Sequence, residues 1–265
     1  MSQEGLCLRH AACDLMSDVH VEVAELTILL GPESLSYRRP IMYLLLNVVM
    51  ALILSVFAAG VISGLAGRWD LWNVWAYAGI FFVLSLFQTL AIYRKSPDLL
   101  KERFKPSTHG RVRWPSFRVF PVASALQWSI AGLDQRFHWS DIVPPTGVVA
   151  GLVIAALGLG LMNWSVLVNP FFSPITRIQE ERGQRVISAG PYSTVRPPGY
   201  AGILVWVVAS AVALNSLLSM IPIVVIMLPI TVYQTMIEDR MLRDELAGYA
   251  DYAAKVRYRL IPDVW

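Results

Sequence analysis

Charge is what this sequence lacks most. Only 15% of its 265 residues are Asp, Glu, Lys or Arg, where a soluble domain carries about a quarter. Cysteine is nearly absent. Cys7 and Cys13 both lie in a polar stretch, and two such residues make neither a disulfide framework nor a four-ligand metal site. Histidine is scarce and scattered, at His10, His20, His109 and His138. No metal site is expected from it. There is no internal repeat and no low-complexity tract. The net charge of +3 belongs to loops between apolar runs and gives no reason to expect nucleic acid. Residues 1–40 hold six acids and no apolar core followed by a small-residue cleavage site. They are expected not to be a signal peptide. A weak helix over residues 19–30 is the most they suggest, and they are assigned no function.

What the chain does have is length in its apolar runs. Hydrophobic residues make up 55% of it, and a run of about 18 or more reads as a membrane span. Six segments stand out: residues 41–65, 71–93, 119–133, 146–168, 198–218 and 219–237. The third is short and contains Pro121. The sixth contains Pro222 and Pro229. Only Asn215 and Ser216 separate the last two, which predicts a helical hairpin. The expected fold class is an all-α, polytopic transmembrane bundle of about six spans, with a C-terminal hairpin and a cytoplasmic cap. With the N-terminus inside, the inner segments hold 20 of the 22 Lys and Arg, and the outer loops hold only Arg68 and Arg136. That asymmetry predicts two cytoplasmic termini. The organisation reads as an N-terminal segment (1–40), four spans (41–168) and a C-terminal region (169–265).

Two polar stretches interrupt this pattern with chemistry. The first runs from Thr176 to Gly202. It contains an extended piece at residues 185–187, a turn at Gly190-Pro191, then Arg196, Pro197 and Pro198. Pro198 suits the first position of a helix, where its missing N–H costs nothing. Gly199 and Gly202 leave one face of that helix bare for close approach of a ligand or another helix. The second stretch begins where the sixth span ends, with Glu238, Asp239 and Arg240, followed by Tyr249, Tyr252, Arg257, Arg259 and Leu-Ile-Pro. The hairpin would bring 196–202 and 237–240 to one membrane surface.

These residues also have blander explanations. Arg196 would serve as a positive-inside anchor, and Tyr192 and Tyr200 as interfacial belt aromatics. Glu238 and Asp239 would be helix-end charges. Gly199 and Gly202 would be packing residues.

The order Gly-Pro-Tyr, Val-Arg-Pro-Pro-Gly-Tyr-x-Gly, apolar hairpin, Glu-Asp-x-x-Leu, Tyr-x-x-Tyr, Leu-Ile-Pro resembles the isoprenylcysteine carboxyl methyltransferase family. That family is related to the phospholipid N-methyltransferases. The resemblance covers about residues 169–263, with weaker family-like pieces at 96–103 and 134–140. It implies an S-adenosylmethionine site at the cytoplasmic face. Gln184, Arg185, Val186, Ile187 and Tyr192 would line the cofactor, as would Pro197, Pro198, Gly199 and Tyr200 through their backbone. Glu238 would hold a polar part of it, with Asp239 beside. Gln234 stands where the family has a substrate-binding arginine, and Arg240 lies close enough to substitute. Two family histidines are replaced, by Pro197 and by Gln184, which removes histidine as a general base.

A carboxylate acceptor needs a cation to orient it, a role for Arg196 or Arg240. An amine acceptor needs a base, a role for Glu238 or Asp239. The absence of histidine favours carboxyl O-methylation of an isoprenylcysteine-like or small apolar acid. Phospholipid N-methylation, a nicotinamide-dependent membrane reductase of the steroid-reductase type and a degenerate non-enzyme are the rival readings. The expected partners are a lipophilic small-molecule or lipid substrate and the surrounding membrane lipid. The sequence says nothing of oligomeric state.

Overall fold

The computed structural model describes residues 32–102, 115–140, 143–173 and 177–265. The weak helix expected at 19–30 lies outside them. The elements are α1 (Pro32–Ala66), α2 (Trp72–Lys95), α3 (Pro97–Glu102), α4 (Pro115–Phe137), α5 (Pro145–Val168), α6 (Pro198–Ala213), α7 (Leu228–Glu245) and α8 (Tyr249–Lys255). Five of these begin on proline, which has φ preset for a helix and no N–H to leave unpaired. Short 3₁₀ turns at Glu180–Arg182, Gly190–Ser193 and Leu218–Met220, and a π turn at Ile223–Met227, complete the chain.

Four stretches are long and apolar enough to cross a bilayer: Ile41–Ala66, Trp72–Lys95, Pro145–Val168 and Leu218–Glu245. Their outward faces carry exposed large apolar side chains, among them Leu45, Val49, Phe87, Leu157 and Val225. In water such a surface would be costly, whereas against lipid it is required. The fold is a polytopic helical membrane bundle.

The expected count of about six spans holds approximately, with four long apolar helices and two segments of another kind. The fifth, expected over 198–218, is a helix of only 16 residues, about 24 Å long at 1.5 Å per residue, against a hydrocarbon core of roughly 30 Å. The third, expected over 119–133, is a 23-residue helix that runs straight through Pro121. It includes Asp134 and Arg136, and it is not among the four long apolar helices. The sixth is irregular where its prolines fall. Pro222 and Pro229 each remove one N–H from the ladder, and the π turn lies between them.

Small residues set the closest packing, between α5 and α6. A Cβ on Gly158 would lie 2.6 Å from the Trp206 backbone nitrogen, and one on Gly202 would lie 2.6 Å from the Gly158 carbonyl oxygen. Backbone meets backbone there, as small-residue helix contacts in membranes allow. Gly202 is therefore a packing residue. Buried amides tie other helices. Gln88 Nε2 donates to Asn163 Oδ1 at 2.6 Å, and Gln127 Nε2 donates to Ser210 Oγ at 2.7 Å. Among α1, α2, α4, α5 and α6 lies an intramembrane cavity of about 320 Å³, walled by Met50, Leu54, Phe81, Leu159, Ile203 and Trp206 among others.

The hairpin turn at the end of α6 is pinned by one buried carboxylate. Asn215 adopts φ 52°, a left-handed conformation that asparagine tolerates. Ser216 Oγ donates to Asp134 Oδ2 at 2.6 Å, and Ser140 N donates to Asp134 Oδ1 at 2.8 Å. Ser140 Oγ also donates to Asp134. The Leu217 N–H in turn donates to Ser140 Oγ at 3.1 Å.

Candidate active site

At the opposite end of α6 a cleft opens between four pieces of chain. The segment after α5 contributes Asn169, Phe171 and Phe172. The following loop contributes Arg177, Gln184, Arg185, Val186 and Ile187. Tyr192, Arg196, Pro197, Gly199 and Tyr200 form a second wall, and Glu238, Met241, Leu242 and Leu246 of α7 a third, with Tyr249 and Tyr252 of α8 beside it. Apolar and aromatic surface with a few placed charges is the usual lining of a small-molecule site.

The loop wall is held by a buried glutamine. Gln179 Nε2 donates to the Phe171 carbonyl at 2.7 Å, and Arg182 Nη1 donates to Gln179 Oε1 at 2.5 Å. The turn closes at Gly183, whose φ of 60° is one that glycine adopts without strain. The side-chain carbonyl of Gln184 accepts from the Gln179 N–H at 2.7 Å, so that part of Gln184 is committed to the loop. Arg177 pairs with Glu181 at 2.6 Å. Arg185 is exposed.

The α6 wall is joined to α7 through a chain of hydrogen bonds. Gln234 Nε2 donates to Tyr200 Oη at 2.7 Å, and Tyr200 Oη donates to Glu238 Oε2 at 2.9 Å. Glu238 is half-buried and lines the cleft. Gln234 Oε1 is buried and receives no hydrogen bond.

One residue further along α7, Asp239 points elsewhere. It is 4% exposed and accepts from Arg196 Nη1 at 2.5 Å, Arg259 Nη2 at 2.7 Å, Arg243 Nε at 3.0 Å and Tyr249 Oη at 3.1 Å. Arg196 itself is 2% exposed. Its backbone N–H donates to the Tyr258 carbonyl at 3.0 Å, and its carbonyl accepts from Leu260 N at 3.0 Å. Tyr252 Oη donates to the Tyr192 carbonyl at 2.6 Å. The C-terminal residues thus clasp the second wall. Burial pushes the phenols of Tyr192 and Tyr249 well up, Tyr249 also because of the Asp239 charge, and raises that of Tyr252 to about 12. All three remain protonated donors at neutral pH.

The sequence-predicted residues therefore divide. Gln184, Arg185, Val186, Ile187, Tyr192, Arg196, Pro197, Gly199, Tyr200 and Glu238 line the cleft together. Pro198, Gln234 and Asp239 are buried behind it, and Arg240 is exposed and outside the lining. Helix geometry accounts for the α7 split, since successive residues turn by about 100°. Residues that sequence reasoning did not assign include Phe171, Phe172 and Arg177 in the lining, and Arg243 and Arg259 on Asp239. Arg243 is four residues beyond Asp239, a spacing that pairs opposite charges on a helix. Nothing local marks the aromatic pair.

Residues 146–247 match the phospholipid methyltransferase family. Two curated relatives, both named "Probable protein-S-isoprenylcysteine O-methyltransferase" and from Oryza sativa subsp. indica and subsp. japonica, are 30% identical to this chain over 108 residues. The aligned region is 40% of this chain and 56% of each relative. The chain thus spans little more than half the length of the curated relatives it matches. The resemblance read from the order of motifs is borne out. The methyltransferase-like stretch begins inside α5, upstream of residue 169, and ends at the last turn before α8. It therefore takes in most of the cleft, while the Tyr249–Tyr252 pair and the Arg259 clasp lie beyond it.

Proposed function

We propose that this chain is an integral membrane methyltransferase that takes its methyl group from S-adenosylmethionine and gives it to a lipophilic acceptor at the cleft between Tyr192–Tyr200 and Glu238. The observation that carries the reading is the coincidence of this cleft with the family-matched residues. The lining fits the donor. Tyr192, Phe171 and Phe172 offer faces for an adenine and a sulfonium. Arg185 and Arg177 sit on the loop wall, where a carboxylate would be received. At Gly199 an added Cβ would come within 3.0 Å of the Phe172 ring, so the backbone there is close to its neighbours and leaves no room for a side chain.

The donor supplies an already activated methyl group. What the protein must add is alignment of the two reactants and exclusion of water, worth up to roughly 7–11 kcal/mol. The acceptor would arrive through the bilayer. Tyr200 lines the cleft and Ile203, one turn along α6, lines the intramembrane cavity. A headgroup and its apolar chain would thus meet consecutive turns of one helix. The 20-to-2 division of Lys and Arg supports a cytoplasmic cleft with both termini on that side. The organisation we propose is an N-terminal segment (1–40), a membrane region (41–168) and a methyltransferase-like C-terminal region (169–265). Two acceptor chemistries are in play, an isoprenylcysteine-like carboxylate and a lipid amine.

Calorimetric titration of the purified full chain with S-adenosylhomocysteine and with NADPH tests the reading. Binding of the homocysteine product is expected, with loss on Tyr192→Ala. Binding of NADPH instead would point to the reductase and overturn it.

A further inference from the structure

We propose that the intramembrane cavity seats the apolar chain of the acceptor and that Trp206 closes its deep end. Trp206 then selects a single chain of about ten to twelve carbons. The proposal rests on the methyltransferase reading above and holds for either headgroup.

Two helix faces lead from the cleft into the cavity. On α6, Tyr200 lines the cleft, and Ile203 and Val207 line the cavity. On α7 and the π turn before it, Glu238 lines the cleft and Met227 lines the cavity. Between Glu238 and Met227 lie Gln234 and Thr231, 5% and 1% exposed. Steps of three and four residues keep each set on one face of its helix. Ile203, Val207 and Met227 pack together, so the two faces meet.

The walls suit a hydrocarbon. Met50, Met162 and Met227 supply side chains that adapt to an irregular occupant. The amides that reach the cavity are engaged within the protein. Gln88 Nε2 is bound to Asn163 Oδ1, Asn163 Nδ2 donates to the Leu84 carbonyl at 2.9 Å, and Asn47 Nδ2 donates to the Tyr43 carbonyl at 2.8 Å.

The deep end is shut by rings. Trp206 stacks on Phe81 of α2, with centroids 5.4 Å apart and planes 14° from parallel. It also stacks on Tyr77, at 6.4 Å and 12°. Behind the rings the bundle is packed solid. Ile62, Val74 and Ala131 are fully buried in the cluster against which Trp206 rests.

The size of the chain follows from two measures. Tyr200 and Trp206 are about 9 Å apart along α6, at 1.5 Å per residue. One leaflet of the hydrocarbon core is roughly 15 Å deep. A membrane acyl chain fills a leaflet, so about two thirds of one fits below Trp206. An apolar cavity of about 150 Å³ holds the six carbons of benzene. The cavity here, of about 320 Å³, scales to about a dozen carbons. A lipid with two full-length chains finds no seat for the second.

The test uses the purified full chain in phosphatidylcholine nanodiscs and a radiolabelled methyl donor. Two acceptor series, S-alkyl N-acetylcysteines and n-alkylamines, run from hexyl to octadecyl. Transfer in the series that reacts should peak near decyl to dodecyl and fall about tenfold by octadecyl. Trp206→Ala should move the peak to longer chains, and Trp206→Phe should move it less. Both variants should keep the wild-type affinity for S-adenosylhomocysteine. A second readout needs no turnover. S-decyl N-acetylcysteine brominated at its chain end should quench the tryptophan fluorescence of the wild type more than that of Trp206→Phe.

A rate that ignores chain length, or that is highest with octadecyl, overturns the proposal. So does a Trp206→Ala loss that is equal at every length. Equal quenching in the two proteins overturns it, as does a protein that binds the homocysteine product but methylates neither series. Failure of the wild type to bind that product would instead refute the methyltransferase reading, and the quenching would still decide what the cavity holds.

Discussion

Two buried aspartates hold the two ends of the α6–α7 hairpin, and they do so by different means. Asp239, at the cleft, is surrounded by three guanidiniums and a phenol. Asp134, at the turn, is held by two serine hydroxyls and a backbone amide. The first brings together α6, α7, α8 and the C-terminal tail. The second ties α4 to a tight turn. The difference follows from what each must hold. A turn needs its N–H groups and hydroxyls satisfied, which one well-placed acceptor can do. A clasp between segments far apart in sequence needs strong, directional partners, and arginine's planar fork supplies them.

That contrast can be broken at three points. Asp239→Ala leaves the nearly buried Arg196 without its counter-charge and should cost about 3–5 kcal/mol. Denaturant unfolding in detergent would show it, together with lost S-adenosylhomocysteine affinity. Unchanged stability would mean that the tail is held by other contacts. Asp134→Asn keeps the shape but weakens a neutral-donor network, and should cost about 1–3 kcal/mol. Its signature is specificity of place, with unfolding shifted and product affinity intact. The smallest effect should come from Arg243→Ala. Its side chain is 41% exposed, and exposed pairs contribute about 0.2–1 kcal/mol. A larger loss would make Arg243 a full member of the clasp.

The spans were legible because uncharged runs of membrane length have few other physical meanings. The cleft was legible as a neighbourhood, because the hairpin forces residues 196–200 to lie near 238. What was not legible is which polar group faces where. Glu238 and Asp239 are adjacent and chemically alike, yet one lines the cleft and the other is buried among arginines. The choice depends on the rotation of α7 and on a tail 20 residues further along that supplies Arg259. Arg196 looked like a free cation for the same reason, since its partner is 43 residues away. The shortness of α6 was hidden because its apolar run continues into the turn after Ala213.

That shortness bears on the lipid around the protein. A helix about 24 Å long falls short of a hydrocarbon layer of roughly 30 Å, and local thinning of the bilayer is one way such a mismatch is accommodated. Thinning of that kind beside α6 would draw the polar headgroup region inward, toward Tyr200. A bilayer-borne acceptor would then travel less distance along the membrane normal to reach the cleft, and its apolar chain would not have to leave the hydrocarbon.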